Sequence, residues 1–183
     1  MQSMKSWKTL KTQVLEKNKY VTYKADDFET EDGTKGTYYY HENNGATCTF
    51  IQKEDGSFIL VREYRYLFDR MSIGCVQAAV DPGESPEDSA YREAREETGY
   101  EPATVTHVGW FSGAAALSKE RIDVFIGRGL THKGQDLEDF EEIEVVEMTA
   151  EQINEAIASN EIWDGHVISA WKKVELHLSK EQA

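Results

Sequence analysis

The chain has 183 residues, 39% of them hydrophobic and 11% aromatic, which is enough for one domain with a sizeable core and a small appendage. Its formal net charge of −14 argues against nucleic acid as a main partner, because phosphate backbones are bound by basic patches. No apolar run has membrane-spanning length and no apolar segment follows the N-terminal lysines, so we expect a cytoplasmic protein with no membrane partner.

The first 42 residues are predicted to form a separate β-strand extension. Apolar and polar residues alternate loosely over residues 4–28, and residues 17–19 form a candidate turn, which is the pattern of a β-hairpin. A two-stranded hairpin is only marginally stable alone. Its apolar side must therefore pack on the rest of the chain or on a second subunit.

Residues 43–183 carry the pattern of strands, one helix, further strands and two closing helices. After a strand predicted at 36–41 in the extension, strands are predicted from alternating or apolar runs at 46–51, 57–66, 103–111, 122–127 and 143–148, and 71–80 is a further apolar stretch. Helices are predicted over 86–98, after Thr149, where Gln152 completes a capping box, and over 167–178. This order predicts an α/β/α sandwich around a mixed sheet. Cys48 and Cys75 lie in apolar strands without zinc-type spacing, so we expect buried structural thiols.

The segment from residue 78 to residue 100 is a loop that leads directly into a short helix. Ser85 is a favourable N-cap, Pro86 suits the first helical position, and Asp88 can reach back to the cap. Gly99 stands where a glycine would end the helix. Both ends of this helix are therefore defined by the sequence.

Three glutamates of this helix are spaced to share one face. Glu93, Glu96 and Glu97 are separated by steps of three and four residues, so their carboxylates repel one another unless a cation lies between them. A hard divalent cation, Mg²⁺ or Mn²⁺, suits such oxygen ligands. The alternative is a solvated acidic helix face. Glu84 and Arg92, a loop acid and a helix base that can pair, distinguish this pattern from a simple run of charge.

These residues resemble the Nudix box: Gly, five residues, Glu, seven residues, then Arg-Glu-apolar-any-Glu-Glu-any-Gly-apolar. The fixed positions that match are Glu84, Arg92, Glu93, Glu96, Glu97 and Gly99, with Ala94 and Tyr100 at the apolar places. One position departs, because the opening glycine is Ala78. We expect Ala78 to adopt the required turn at a cost of about 1 kcal/mol.

The resemblance implies a Nudix-type α/β/α fold and metal-assisted hydrolysis of a pyrophosphate. It implies two or three Mg²⁺ or Mn²⁺ ions held by Glu93, Glu96 and Glu97, with the main-chain carbonyl of Gln77 and a late-loop carboxylate, for which Glu141 is favoured. The proton acceptor is then a box glutamate or Glu141. Glu84, Arg92 and Gly99 have structural roles in the motif. The resemblance also implies a homodimer formed through the N-terminal strands.

Substrate contacts are implied outside the box. Arg65 resembles a phosphate-binding arginine of enzymes acting on ADP-ribose and nucleoside diphosphate sugars; for Arg62 and Arg65 the alternative is a pair of edge-strand charges. Glu120 resembles an acid that closes a loop, or belongs to a surface Lys-Glu-Arg cluster. In the acidic loop, Asp139 is the second choice after Glu141 for the additional carboxylate of the site. The alternative is that this loop is only a solvated segment. The resemblance thus implies hydrolysis of a nucleoside diphosphate sugar; nucleoside triphosphate hydrolysis and a catalytically silent nucleotide-binding regulator are the alternatives.

Overall fold

Ten strands and three helices follow one another in the computed structural model, which describes residues 6–137 and 141–181. The strands are β1 Trp7–Lys17, β2 Thr22–Thr30, β3 Lys35–Glu42, β4 Ala46–Gln52, β5 Phe58–Arg65, β6 Arg70–Gly74, β7 Val76–Ala79, β8 Tyr100–Phe111, β9 Ile122–His132 and β10 Ile143–Met148. The helices are α1 Pro86–Thr98, α2 Ala150–Ala158 and α3 Gly165–Glu181. None of these helices, within the described ranges, is long and apolar enough to cross a membrane.

The chain divides into two compact units, and the first consists of residues 1–44 and 112–120. It contains an antiparallel sheet in the order β1-β2-β3. The predicted hairpin is present as β1 and β2, but β3 extends it to three strands. The connection 112–120 belongs to the same unit, since the Tyr38 hydroxyl donates to the Ala116 carbonyl at 2.6 Å. The division predicted at residue 42 stays a prediction.

The second unit, residues 45–111 and 121–183, is built on a mixed sheet. Its strand order is β10-β5-β4-β9-β8, with β6 paired to β5 and β7 paired to β4. The β4–β9 pair is parallel and the other pairs are antiparallel. The predicted mixed sheet is therefore confirmed.

Side chains from the two faces of this sheet pack into two separate cores. On one face, buried residues of β4 and β5 pack with α2 and α3 around Trp171, whose ring lies 5.2 Å from that of Phe50 and 5.1 Å from that of Phe58. On the other face, Ala94 of α1 packs against the sheet. The predicted three-layer sandwich is confirmed. Cys48 and Cys75 are free and buried, as expected, and burial raises the pKa of the Cys75 thiol.

The helix ends follow the capping residues read from the sequence. The main-chain N–H of Asp88 donates to the Ser85 hydroxyl at 3.1 Å, and α1 runs over the predicted residues. The Asp88 carboxylate accepts from the Ser85 hydroxyl at 2.7 Å and not from its main chain, so only half of the predicted capping box forms. Thr149 and Gln152 form a complete capping box. Helix α3 extends beyond the predicted 167–178 at both ends.

Candidate active site

The carboxylates of α1 differ in how deeply they lie. The helix packs on the sheet through Ala90 and Ala94, both fully buried. Glu97, three residues after Ala94, continues that stripe and is 8% exposed, whereas Glu93 and Glu96 are half-buried at its border. The helical spacing therefore buries Glu97 and leaves Glu93 and Glu96 partly exposed beside it.

Arg92 connects the box loop to this acidic face. Its Nε and Nη2 donate to the two carboxylate oxygens of Glu84 at 2.9 and 3.0 Å. Its Nη1 donates to Glu93 at 2.6 Å and to Glu96 at 3.1 Å. The Arg92 hydrogen bonds lower the pKa of Glu84. The motif residues Glu84 and Arg92 thus fix the loop to the helix and supply positive charge between two of the three glutamates.

Glu97 is in an environment that disfavours its charge. Burial, together with the charges of Glu93, Glu63 and Glu141, raises the pKa of Glu97 to about 9, while Arg65 acts in the opposite direction. Burial likewise raises the pKa of Glu93 and Glu63, and the charge of Glu141 adds to both shifts. Four carboxylates therefore share one region with too little positive charge.

Strand β5 brings one predicted arginine to this region and takes the other away. Ile59 and Val61 face the α1 side, and the alternation of side chains along a strand places Glu63 and Arg65 on that same face. The ladders of β5 show no bulge, so Arg62 lies on the opposite face, where Nη1 donates to Glu144 at 2.9 Å. This pairing across the strands is what the alternative of an edge-strand charge describes, and the substrate contact of Arg62 stays a prediction.

Arg65 is held by two carboxylates. Its Nη2 lies 2.7 Å from Oε1 of Glu63 and 3.8 Å from Oδ2 of Asp164. Its Nε is buried and has no hydrogen-bond partner in the described part of the chain. A buried donor without an acceptor is costly, so a group that brings an oxygen to Nε would be stabilised there.

Gln77 and Ala78 lie in β7, next to this arginine. The main chain of Gln77 pairs with that of Cys48, and its side-chain amide donates to Oδ2 of Asp164 at 3.2 Å. Ala78 is opposite Thr47. The non-glycine residues with positive φ in the described ranges are Asp69 and Asn160, so Ala78 has no left-handed strain. The expected cost of replacing the box glycine is therefore wrong, because the ordinary extended strand suits alanine.

The segment after β9 is attached to the end of α1. Gly99 has φ of +75° and ends the helix, and its carbonyl accepts from the main-chain N–H of Lys133 at 2.7 Å and Gly134 at 3.2 Å. The main-chain N–H of Asp136 donates to the Glu96 carbonyl at 3.0 Å, and the Gln135 amide donates to that of Glu97 at 2.6 Å. These bonds direct the acidic loop toward the box helix.

Of the three acids predicted in loops, the structure describes Glu141 and Glu120. Glu141 lies close enough to raise the pKa of Glu63, Glu93 and Glu97, and it lines a cleft with Glu63. Asp139 lies outside the described residues. Glu120 belongs to the first unit, where it accepts from the Asn43 amide at 2.5 Å. Glu141 is thus grouped with the box glutamates, and the roles of Asp139 and Glu120 stay predictions.

The donor set was tested against a divalent cation. As the side chains stand, no three His, Cys, Asp or Glu residues within 6–137 and 141–181 are grouped tightly enough to hold a metal ion. The chemistry nevertheless fits: hard carboxylate oxygens surround a buried glutamate, and a cation among them would offset the repulsion that raises the pKa of Glu97. Glu93, Glu96, Glu97 and Glu141 are the side chains that would hold it.

Two residues of this region were not predicted as site residues. Glu63 looks like a surface charge in the run Arg-Glu-Tyr-Arg, although its even spacing from Ile59 and Val61 indicates the α1 face. Asp164 precedes α3, and its Oδ1 accepts from the main-chain N–H of His166 at 2.8 Å, which marks it first as a capping residue. Its second oxygen, directed at Gln77 and Arg65, has no signature in the sequence.

A comparison with known families and proteins agrees with this arrangement. The family described as NUDIX domain matches residues 42–171, more than half of the chain, and the chain therefore belongs to the Nudix family. This makes it a Nudix hydrolase, an enzyme acting on phosphorus anhydrides, in a family that generally needs divalent metal ions. The resemblance found in the box is confirmed.

Three individual proteins and one solved structure are similar to this chain over most of its length. The chain is 25% identical over 171 residues to ADP-ribose pyrophosphatase of Bacillus subtilis, with 92% of each chain covered. It is 24% identical over 171 residues to methanol dehydrogenase activator of Bacillus methanolicus, again covering 92% of each. It is 27% identical over 191 residues to GDP-mannose pyrophosphatase of Yersinia pestis, covering 92% of this chain and 91% of the relative. A crystal structure of an ADP compounds hydrolase superposes with a TM-score of 0.85 at 20% identity, covering 99% and 98%.

Proposed function

We propose that the enzyme hydrolyses the diphosphate of a nucleoside diphosphate sugar, with ADP-ribose and GDP-mannose as the first candidates. Water is added across one P–O–P linkage, which releases a nucleoside monophosphate and a sugar phosphate. The observation that carries the proposal is the position of Arg65, which the alternation along β5 places on the α1 side of the sheet with the buried Glu97, and whose buried Nε has no hydrogen-bond partner among the described residues. Arg65 and Glu97 together suit the binding of a phosphate anhydride between an arginine and acids that bind cations.

Each residue has a role in this proposal. Glu93, Glu96, Glu97 and Glu141, with the main-chain carbonyl of Gln77, would hold Mg²⁺ or Mn²⁺, two or three ions per site. When bound, these ions neutralise diphosphate charge and lower the pKa of a bound water. Arg65 donates to a phosphate oxygen through Nε, which Glu63 and Asp164 orient from the Nη2 side. Glu141, the acid of the group outside α1, takes the proton of the attacking water.

Two relatives support this substrate class by their names. ADP-ribose pyrophosphatase and GDP-mannose pyrophosphatase each span more than nine-tenths of this chain. A distorted loop at Ala78 would favour the silent nucleotide-binding regulator, and the unstrained backbone of Ala78 removes that argument. We therefore prefer the interpretation of the protein as an active enzyme to that of a silent regulator. A cytoplasmic location and the absence of nucleic-acid and membrane partners remain part of the proposal.

We propose further that two copies associate through the first unit. Its sheet leaves large apolar side chains exposed, at 55% for Trp7, 60% for Val14 and 54% for Tyr39. Large apolar side chains exposed on one small sheet make it a candidate interaction surface. A second copy of the same sheet would bury it in a symmetric contact.

A panel of substrates tests the reaction. Purified protein with Mg²⁺ would be incubated with ADP-ribose, GDP-mannose, UDP-glucose, dinucleoside polyphosphates and nucleoside triphosphates, and the products analysed. A nucleoside monophosphate with a sugar phosphate is the expected result. Release of inorganic diphosphate from triphosphates alone would contradict the proposal, as would tight binding without turnover. The Glu97→Gln variant is assayed in parallel with the wild type, because loss of activity in the variant excludes a contaminating hydrolase.

A further inference from the structure

An open cleft of about 610 Å³ adjoins Arg65 and Gln77. It is lined on one side by residues 64–68 and on the other by residues 163–166, so a turn and a helix start form its walls. Its aromatic lining residues are Tyr64, Tyr66, Phe68, Trp163 and His166. Small-molecule sites are typically clefts of roughly 300–1,000 Å³ lined by apolar and aromatic groups with a few polar ones. The cleft has this size and character.

The turn that forms one wall exposes three consecutive apolar side chains. Tyr66 is 82% exposed, Leu67 88% and Phe68 65%. The turn is nevertheless fixed: the Tyr64 hydroxyl donates to the Asp69 carboxylate at 2.8 Å, and Asp69 closes the turn in the left-handed conformation. Exposed rings in a fixed turn are a preformed apolar surface, which indicates a binding partner for them.

The opposite wall is held just as firmly. Trp163 Nε1 donates to the carbonyl of Met71 at 3.1 Å, and the guanidinium of Arg70 lies 4.9 Å from the Trp163 ring centroid. The ring of Phe68 lies 4.8 Å from that of Trp163, so the two walls meet at this contact. Tyr66, two residues before Phe68, lines the cleft and is open to solvent.

The cleft has a polar end and an aromatic end. Arg65, Gln77 and Asp164 stand at the polar end, where Arg65 keeps the buried Nε that has no partner among the described residues. A nucleotide has the same division, with anionic phosphates at one end and a flat base at the other. Aromatic side chains stack on base faces without requiring a particular base.

We propose that this cleft is the nucleobase subsite, in which the base of the substrate stacks on the exposed rings of Tyr66 and Phe68 beside Trp163. The inference rests on the proposed function, since it places the phosphates of the same substrate at Arg65. A diphosphate at Arg65 leaves the adjoining aromatic wall within reach of the attached nucleoside. The subsite recognises a planar base and tolerates different bases, because its base-facing groups are rings.

The test compares a double variant, Tyr66→Ala with Phe68→Ala, against the wild type. Both side chains are exposed, so the fold is expected to survive, and Leu176→Ala, an exposed apolar position about three turns along α3, is the matched control. Stacking of a base on an aromatic side chain corresponds to a change of roughly 5- to 150-fold in affinity. We expect the KM for ADP-ribose to rise about tenfold or more, with inhibition by inorganic diphosphate unchanged, because diphosphate has no base.

Binding of AMP gives a readout that is independent of turnover. AMP should quench the fluorescence of Trp163, one of four tryptophans, and Trp163→Phe should remove that quenching. The double variant should bind AMP about tenfold or more weakly. If the wild type hydrolyses no nucleotide sugar but shows this AMP behaviour, the proposed function fails and the subsite stands. Equal AMP affinity in wild type and double variant, or no AMP binding by the wild type, overturns the subsite. A double variant with reduced molar mass and unchanged AMP affinity would identify the turn as a subunit contact instead.

Discussion

Arg92 holds Glu84 through two parallel hydrogen bonds, from Nε at 2.9 Å and from Nη2 at 3.0 Å. Lysine cannot reproduce this paired geometry while also reaching Glu93 and Glu96. We expect Arg92→Lys to lower the melting temperature by about 2–4 °C for each 1 kcal/mol lost, and to reduce turnover because the box loop is released. Calorimetry and initial rates measure both effects. Arg95→Lys on the same helix is the control, since Arg95 only reaches Asp136 at 3.5 Å on the surface; an equal effect there would contradict the assignment.

Glu97 gives a pH-dependent stability in the metal-free protein. Its pKa is about 9 in the folded state against 4.5 for an ordinary glutamate, so the folded protein favours the protonated acid. The corresponding stability is complete below about pH 4.5 and is lost as the pH rises toward 9. We expect metal-free Glu97→Gln to melt at a higher temperature than the wild type at pH 8, with the gap shrinking toward pH 4.5. A gap that widens on acidification would show that the sign is wrong.

The same variant tests the cation site without an activity assay. A cation among the carboxylates should relieve the repulsion around Glu97, so Mg²⁺ or Mn²⁺ should raise the melting temperature of the wild type. Glu97→Gln removes one charged ligand and should lose most of that shift, together with turnover. Glu87→Gln, an exposed acid in the first turn of α1, should keep both. A metal-induced shift of equal size in Glu97→Gln would place the cation elsewhere.

The two arginines of β5 should respond differently to the same substitution. Arg65→Lys removes the Nε donor, and a hydrogen bond to a charged group is worth about 1.5–3 kcal/mol, so kcat/KM should fall roughly 10- to 150-fold. Arg62→Lys should leave kcat/KM within about twofold, because Arg62 meets Glu144 on the other face. Comparable losses in both variants would refute the division of the strand into two faces.

Association through the first unit can be tested at one strand. Val14→Asp puts a charge on an apolar side chain that is 60% exposed, so it should cost little in the isolated subunit and much in a contact between copies. Light scattering during size-exclusion chromatography should give the mass of a dimer for the wild type and a lower mass for the variant. Glu151→Gln, an exposed site in α2, should behave as the wild type. A wild type that stays monomeric at high concentration would end this proposal.

The sequence predicted best where local chemistry decides the structure. The bounds of α1 follow from Ser85, Pro86 and Gly99, which act within one turn of the helix, and the capping box at Thr149 is equally local. Sequence reasoning failed where pairing is not local. It predicted a two-stranded hairpin over residues 4–28 and a strand at 36–41 without pairing them, whereas β3 pairs with β2.

The site was predicted only in part for the same reason. Glu93, Glu96 and Glu97 share one helix, so their spacing sufficed to group them. Asp164 meets Gln77 only after the chain has added the three strands β8, β9 and β10 and the two helices α1 and α2, and no spacing rule joins positions 87 residues apart. Whether Arg62 and Arg65 share a face depends on whether a bulge interrupts the strand, which the sequence does not show and the regular ladder of β5 with β6 excludes.

The bonds between Gly99 and the start of the acidic loop bear on how this enzyme can be re-engineered. Lys133 and Gly134 both donate to the Gly99 carbonyl, and a side chain at position 99 would meet the main chain of Gly134 at 2.9 Å. A loop taken from a relative and joined after residue 137 would keep this attachment. A junction placed before residue 133 would disturb the last turn of α1, which carries Glu96 and Glu97. The acidic loop can therefore be exchanged only downstream of the residues that bond to the end of α1.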